Sequence, residues 1–410
     1  MSFAVCVDVG STYTKAARID LDGARLVRRA EVPTTSGTDV LHGLDAAVAA
    51  VGGADQLYVC SSAGGGLRLA VVGYEALVTA EAGHRVGLSA GAQVVHVAAG
   101  PMSGPDVTAL RAARPDVVLL VGGTDGGDSE VLLHNARRLA NARIRIPIVL
   151  AGNADARADA EEILRGRATA TANVLPRIGV LDPLPARAAI REVFLRHVIG
   201  GKRLSRGPRF PSLVRAATPD AVLAGVELLA DLTGSGVLVV DVGGATTDVY
   251  SALVPDAEAE TGPRRDVAGT LWRARTVEGD LGVAVGAPST RTAAAAEKLP
   301  APGDDRELAV AAAVIALRRH ARGHSAGPGQ PRTGGRDLRD VRLVVGSGGV
   351  LRHGGGTRVL DAVLGDIGGG WVPPERAKAL VDEQYVLAAA GLLAVDHPQV
   401  AAGLLGHSFR

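Results

Sequence analysis

Short apolar runs of strand length open the chain: Phe3 to Val9, then Ala16 to Asp20 after a polar loop, then Arg25 to Val32 after the turn signal Leu21-Asp22-Gly23. They predict a three-stranded meander. Asp39 is placed to cap a helix whose apolar positions Val40, Leu44, Ala47, Val48 and Val51 recur at helical spacing. Gly52-Gly53 stops that helix, and Gln56 to Cys60 is the next strand. The order returns late in the chain, with strands at Gly236 to Val242, Thr246 to Leu253 and Arg273 to Val277, so the pattern predicts a rough internal duplication. Between the copies, Asp116 to Val121 and Ile146 to Ala151 read as fully buried strands. Helices follow them near Ser129 to Ala142 and Ala154 to Arg165. Past an Ala-rich helix, the tract HSAGPGQPRTGGRD has too little apolar surface to bury and is expected to be a mobile surface loop.

Length and charge narrow the picture. A chain of 410 residues exceeds what one core serves, so two domains with a cleft are expected. Their expected bounds are 1–235, with an inserted α/β segment at about 84–175, and 236–410, with a flexible loop near 322–340. A net charge of +1 with interspersed signs gives no field to collect nucleic acid or an anionic membrane, and neither partner is expected. No apolar run reaches the roughly 18 uncharged residues of a span, and the start of the chain carries no signal pattern, so the expected location is cytoplasmic. Cys6 and Cys60 sit inside apolar runs and read as small buried hydrophobes.

Three glycine-bearing turns carry the candidate chemistry. In DVGSTYTK a strand delivers Asp8 into a turn made permissive by Gly10 and lined by Ser11 and Thr12. Gly10 leaves backbone N–H groups open to phosphate oxygens, the hydroxyls donate further bonds, and a carboxylate suits the water shell of a metal. Lys15 reads equally as a phosphate contact or a solvated strand residue. DVGGATTDV repeats the arrangement with Asp241, Gly243, Gly244, Ala245, Thr246 and Thr247. Two such hairpins facing each other would enclose a triphosphate, bring Asp8 and Asp241 near one magnesium ion, and leave Asp248 to orient a water. The third turn, in LVVGSGGVL, offers Gly346, Ser347, Gly348 and Gly349 as bare backbone against which a base and ribose can lie, or a plain tight turn.

In this order the three motifs resemble the phosphate-1, phosphate-2 and adenosine motifs of the superfamily of sugar kinases, DnaK-type chaperones and actin. The resemblance spans Phe3 to about Ala402 and implies an α/β protein of two ribonuclease-H-like domains closing over ATP and Mg2+. Within the superfamily the chain most resembles the MutL family, accessory proteins of adenosylcobalamin-dependent glutamate mutase (methylaspartate mutase). DVGSTYTK, SSAGGGLR at Ser61 to Arg68, LLVGGTDGGD at Leu119 to Asp128 and VEGDLGV at Val277 to Val283 carry that likeness. Asp125 and Asp128 belong either to a loop at the mouth of the site or to a strand-to-helix turn capped by Asp128 or Ser129. Glu278 and Asp280 either reach the metal or start a helix.

The resemblance implies an ATP-dependent chaperone or reactivating factor, a slow Mg-dependent ATPase whose partner is the mutase and whose partner holds the cobalamin. The chain has no Asp-x-His-x-x-Gly segment for a lower axial ligand. The alternative is a small-molecule phosphotransferase or ATP-dependent amidohydrolase on the same scaffold, to which SSAGGGLR is also similar. A filament-forming module is the third reading. No recognisable sugar-binding segment with a general-base Asp is found, which favours the first.

Overall fold

Short apolar runs rich in β-branched residues make the strands, most of them buried on both faces, and glycine turns join several of them. The computed structural model describes residues 2–53, 55–63, 67–75, 79–90, 92–199, 204–254, 272–325, 332–333, 335–366, 368 and 370–409. Its first sheet holds β1 (Phe3–Val9), β2 (Tyr13–Asp20), β3 (Arg25–Pro33), β4 (Gln56–Ser61) and, from further along the chain, Val214–Ala217. Asp39 accepts from the Leu41 amide and caps the helix Val40–Ala50, as its place before the apolar stripe predicted.

The middle of the chain forms a separate sheet of β5 (Arg68–Gly73), β6 (Gln93–Ala99), β7 (Val117–Leu120), β8 (Ile148–Leu150) and β9 (Ala168–Ala170), with every neighbouring pair parallel. Val214–Ala217 is then β10, and the second half brings β11 (Gly236–Val242), β12 (Thr247–Ala252) and β13 (Arg273–Glu278). A two-stranded ribbon, β14 (His324–Ser325) with β15 (Arg332–Thr333), interrupts the tract expected to be a mobile loop. Residues 326–331 and 334 of that tract lie outside the described residues. The sheet is completed by β16 (Val341–Ser347) and β17 (Lys378–Val381).

The first and last sheets share one plan. One runs β10-β4-β1-β2-β3 and the other, written from its opposite edge, β17-β16-β11-β12-β13. In each, an antiparallel meander is followed by two strands parallel to its first. This is the ribonuclease-H-like pattern twice over, in an α/β chain. Among the described residues no helix is long and apolar enough to cross a membrane.

The two sheets share a core. Ala4 and Cys6 of β1 and Val237 and Val239 of β11 face it from opposite sides. The helices Thr218–Thr233 and Leu387–Leu393 fill it. Those helices cross at glycine: a Cβ on Gly225 would lie 2.1 Å from the Leu387 carbonyl oxygen, and one on Gly391 would lie 1.9 Å from that of Ala221. The reciprocal contact brings the two helix backbones together at the junction of the two sheets. The outer face of β1, Val5, Val7 and Val9, packs with Leu69 and Val71 of the parallel sheet and with Ile190 and Phe194.

Candidate functional site

Period-two alternation decides where the paired carboxylates point. Asp8 continues the row Ala4–Cys6 and Asp241 continues Val237–Val239, and both rows face the shared core, so each strand ends with a carboxylate at the same mouth. Cross-strand pairing then fixes their neighbours. Asp8 stands opposite Lys15, and Asp241 opposite Asp248. The intervening turns are equivalent: the Gly10 amide donates to the Tyr13 carbonyl at 3.0 Å and the Gly243 amide to that of Thr246 at 2.9 Å. A Cβ at either glycine would press on the acceptor, at 2.7 and 2.9 Å. Ser11 and Thr12 are exposed on the first turn, and Gly244 and Ala245 on the second.

Each carboxylate is held. Thr218, the first residue of its helix, donates its hydroxyl to Asp8 Oδ1 at 2.5 Å, and the Cys60 thiol lies 3.8 Å from the same oxygen. Burial raises the Asp8 pKa, against the pull of Lys15, Thr218 and Cys60. The Asp241 pKa is pushed up to about 6, first by burial and then by the charge of Asp248. Lys15 and the Ser347 hydroxyl pull it down, and Asp8 pushes it up. Asp8, Asp241, Asp248 and Lys15 are therefore one electrostatic cluster contributed by both sheets. The Lys15 Nζ lies 3.8 Å from the centroid of the Tyr385 ring, a cation–π contact.

Asp248 is engaged by Arg275, whose Nη2 and Nε donate to its Oδ1 at 2.6 and 2.9 Å; the Arg275 side chain is 4% exposed. Arg275, Tyr385 and Thr218 are absent from the motif reading. Arg275 stands near the middle of β13, Tyr385 follows β17 and Thr218 follows β10, so each reaches the cluster by tertiary folding from outside the hairpins. Tyr385 also adopts φ +59°, a left-handed conformation strained for a side chain of this size.

The third turn lies beside the second. The β16 residue paired with Asp241 is Ser347. Gly348 has φ +107°, and a Cβ there would lie 2.1 Å from the Val242 carbonyl oxygen, so the loop is pressed onto the strand that carries Asp241. Gly346 is buried against Leu351, and Gly349 is exposed with open space where a Cβ would be.

VEGDLGV buttresses the second turn. The Val283 amide donates to the Gly243 carbonyl, those of Ala284 and Gly286 to the Gly244 carbonyl, and the Thr247 hydroxyl to the Leu281 carbonyl. Glu278 and Asp280 are both bound by Arg319, at 2.7 Å each. The loop after β7 is built into the parallel sheet: Asp125 accepts from the Ala154 amide and the Asn173 side chain, and Asp128 accepts from the Glu130 amide at the start of the next helix. In SSAGGGLR, Gly64 to Gly66 lie outside the described residues.

Among the described residues no group of three or more His, Cys, Asp or Glu is set to hold a metal by itself. A buried and a half-buried carboxylate, both with raised pKa values, nevertheless suit a hard cation that brings its other oxygens as water and phosphate, the usual state of Mg2+.

One family's sequence model, described as MutL protein, matches residues 4–304 and 302–409. The protein named Protein MutL of Clostridium tetanomorphum is 32% identical over 457 residues, spanning 99% of this chain and 98% of its own length. Among solved structures, xylulose kinase from Bifidobacterium adolescentis aligns over 99% of this chain and 93% of its own, at 11% identity and a TM-score of 0.34. The Acidaminococcus fermentans (R)-2-hydroxyglutaryl-CoA dehydratase component A aligns over the whole of both chains at 9% identity and a TM-score of 0.31. Structural likenesses that slight carry no argument about the site.

Proposed function

The chain belongs to the MutL family, and from that premise we propose that it binds ATP with Mg2+ between its two hairpins and serves an adenosylcobalamin-dependent mutase of the glutamate mutase kind as a chaperone or reactivating factor. One observation supports the ATP reading above the rest: two equivalent Asp-Val-Gly turns from the two like-built sheets direct Asp8 and Asp241 to one mouth, beside Lys15. On this reading the lobes divide at 235/236.

Ser11, Thr12 and the backbone of Gly10, Gly243, Gly244, Ala245 and Thr246 hold phosphates, and Lys15 adds a cation. The loop Gly346 to Gly349 takes the base and ribose. Asp8 and Asp241 would hold Mg2+, which neutralises phosphate charge when bound. Thr218 and Ser347 keep the two carboxylates oriented, and Arg275 fixes Asp248 where it can align a water. Nucleotide then changes the relation of the two lobes around the helix crossing at Gly225 and Gly391, and the two shapes differ in affinity for the partner.

The test is ATP hydrolysis by the purified protein with and without cobalamin-inactivated glutamate mutase, scoring return of mutase activity when fresh coenzyme is added. Recovery that needs hydrolysable ATP supports the reading. Turnover that ignores the mutase but rises sharply with one metabolite replaces it with a phosphotransferase or amidohydrolase.

A further inference from the structure

The residue just beyond the third turn is an arginine that none of the three motifs includes. Arg352 has a side chain only 7% exposed. Its Nε and Nη1 are buried without a hydrogen-bond partner. Its Nη2 lies 3.6 Å from Glu31 Oε2, which comes from β3 in the other sheet. A guanidinium carries five donors and cannot shed its charge, so burying two of them unpaired is costly.

Its surroundings show what it is placed to meet. Glu31 pairs in register with Lys15, which pairs with Asp8, so the charges alternate across β1, β2 and β3 toward Arg352, whose charge is also felt by the buried Asp382 carboxylate beyond β17. Arg352 also lies 5.1 Å from the centroid of the Tyr385 ring, the ring that Lys15 contacts at 3.8 Å. The two cations thus share one aromatic platform, and that platform feels the charges of Asp241 and Asp8. The loop leading to Arg352 is held in place, because Gly348 is seated against the Val242 carbonyl and its own carbonyl accepts from the Arg352 amide at 3.1 Å.

We propose that Arg352 is a second phosphate-binding cation, supplied by the second lobe opposite Lys15, and that Glu31 is the placeholder it leaves when a nucleotide polyphosphate enters. The proposal rests on the ATP reading above and adds to it the residue that distinguishes phosphorylated from unphosphorylated ligands. Arginine suits the task because its planar fork matches phosphate oxygens in pairs. Glu31, 34% exposed at its side chain, gives up a long and partly hydrated ion pair at small cost.

The experiment measures binding of Mg-ATP, ADP and adenosine to the full chain and to Arg352→Gln, Arg352→Lys and Glu31→Gln by calorimetry. R352Q is expected to weaken Mg-ATP roughly 10- to 100-fold, the range for losing a charge-assisted hydrogen bond, while adenosine affinity stays within about twofold. R352K regains part of the loss, and E31Q binds ATP at least as tightly as the parent. Unchanged ATP affinity in R352Q, equal losses for ATP and adenosine, or an E31Q that weakens as R352Q does each overturns the proposal. A parent chain that binds no ATP overturns the ATP reading itself. Should R352Q fold poorly, R352K carries the test, since a full return of ATP affinity with a single ammonium refutes the paired-donor role.

Discussion

Replacing Asp241 by Asn is expected to make the ligand-free chain more stable at neutral pH and worse at its task. Burial and the neighbouring Asp248 charge raise the Asp241 pKa from 3.8 to about 6. At about 1.4 kcal/mol per unit, the ionised side chain costs the fold up to about 3 kcal/mol, less where water reaches it. The sign follows from the direction of the shift. The folded state holds the proton more tightly than the unfolded chain, so this contribution favours folding least above about pH 6 and the penalty fades as pH falls toward 4. Asn keeps an oxygen for the Ser347 hydroxyl and removes the charge. Thermal unfolding of parent and D241N at pH 7.5 and pH 4.5 should show the variant melting several degrees higher at pH 7.5, at roughly 2–4 °C per kcal/mol for a unit of this size, with the gap narrowing at pH 4.5. D241N should also lose magnesium-dependent ATP binding. A variant less stable than the parent at pH 7.5, or a gap that does not change with pH, refutes the account of Asp241 as a strained carboxylate kept for a cation.

Three further outcomes follow from contacts in the same region. Gly225→Ala or Gly391→Ala places a methyl within 2.1 or 1.9 Å of a backbone carbonyl oxygen on the facing helix, and each should cost about 1–3 kcal/mol in urea unfolding; a melting point unchanged in both would show that the crossing is loose. Asp248→Ala removes the carboxylate to which two Arg275 nitrogens donate and should destabilise by about 1–3 kcal/mol, whereas Asp248→Asn keeps an acceptor oxygen, should cost less, and should lower ATP hydrolysis more than ATP binding; equal losses in hydrolysis and binding for D248N would remove its water-aligning role. Gly348→Ala, with its Cβ forced to 2.1 Å from the Val242 carbonyl at φ +107°, should weaken adenosine and ATP alike by roughly tenfold, an effect of about 1.4 kcal/mol, and ATP binding at parental affinity would refute the seating of that loop.

The meanders were legible because each strand carries its own evidence. Phe3 to Val9 and Gly236 to Val242 coincide with β1 and β11, and Asp39 caps the helix it precedes. Short-range patterns also located both hairpins, since two residues seven apart that flank a glycine turn must face each other across it. Other elements left weaker traces. The helices Thr218–Thr233 and Leu387–Leu393 are apolar on nearly every side because both sheets press on them, so they show little amphipathic stripe. Strand β8 falls inside the run Ile146 to Ala151 that reads as a buried strand, whereas β9 is three half-buried residues, too short for periodicity to register. Of the site, the carboxylates and glycines were visible as motifs. Thr218, Arg275, Tyr385 and Arg352 were not, since a lone residue far along the chain acquires its meaning only when the fold brings it to Asp8 or Asp241.

The duplication is broken at one position that bears on how the mouth works. Lys15 and Asp248 stand at the same place in their hairpins, each opposite the carboxylate that ends the first strand of its sheet. One copy therefore sets a cation beside Asp8, and the other sets an anion beside Asp241. The consequences differ. Lys15 lowers the Asp8 pKa, whereas Asp248 is the largest charge that raises that of Asp241. Two equivalent basic hairpins would hold a polyanion in either direction, and two acidic ones would repel it. The unequal pair gives the mouth a polarity, with positive charge on the β2 side and two carboxylates on the β12 side, where Arg275 contacts Asp248 directly. On the proposed reading that polarity orients the ligand: phosphate oxygens lie toward Lys15, and the accompanying cation lies toward Asp241. A duplicated scaffold thus acquires direction through a single charge reversal between its two hairpins.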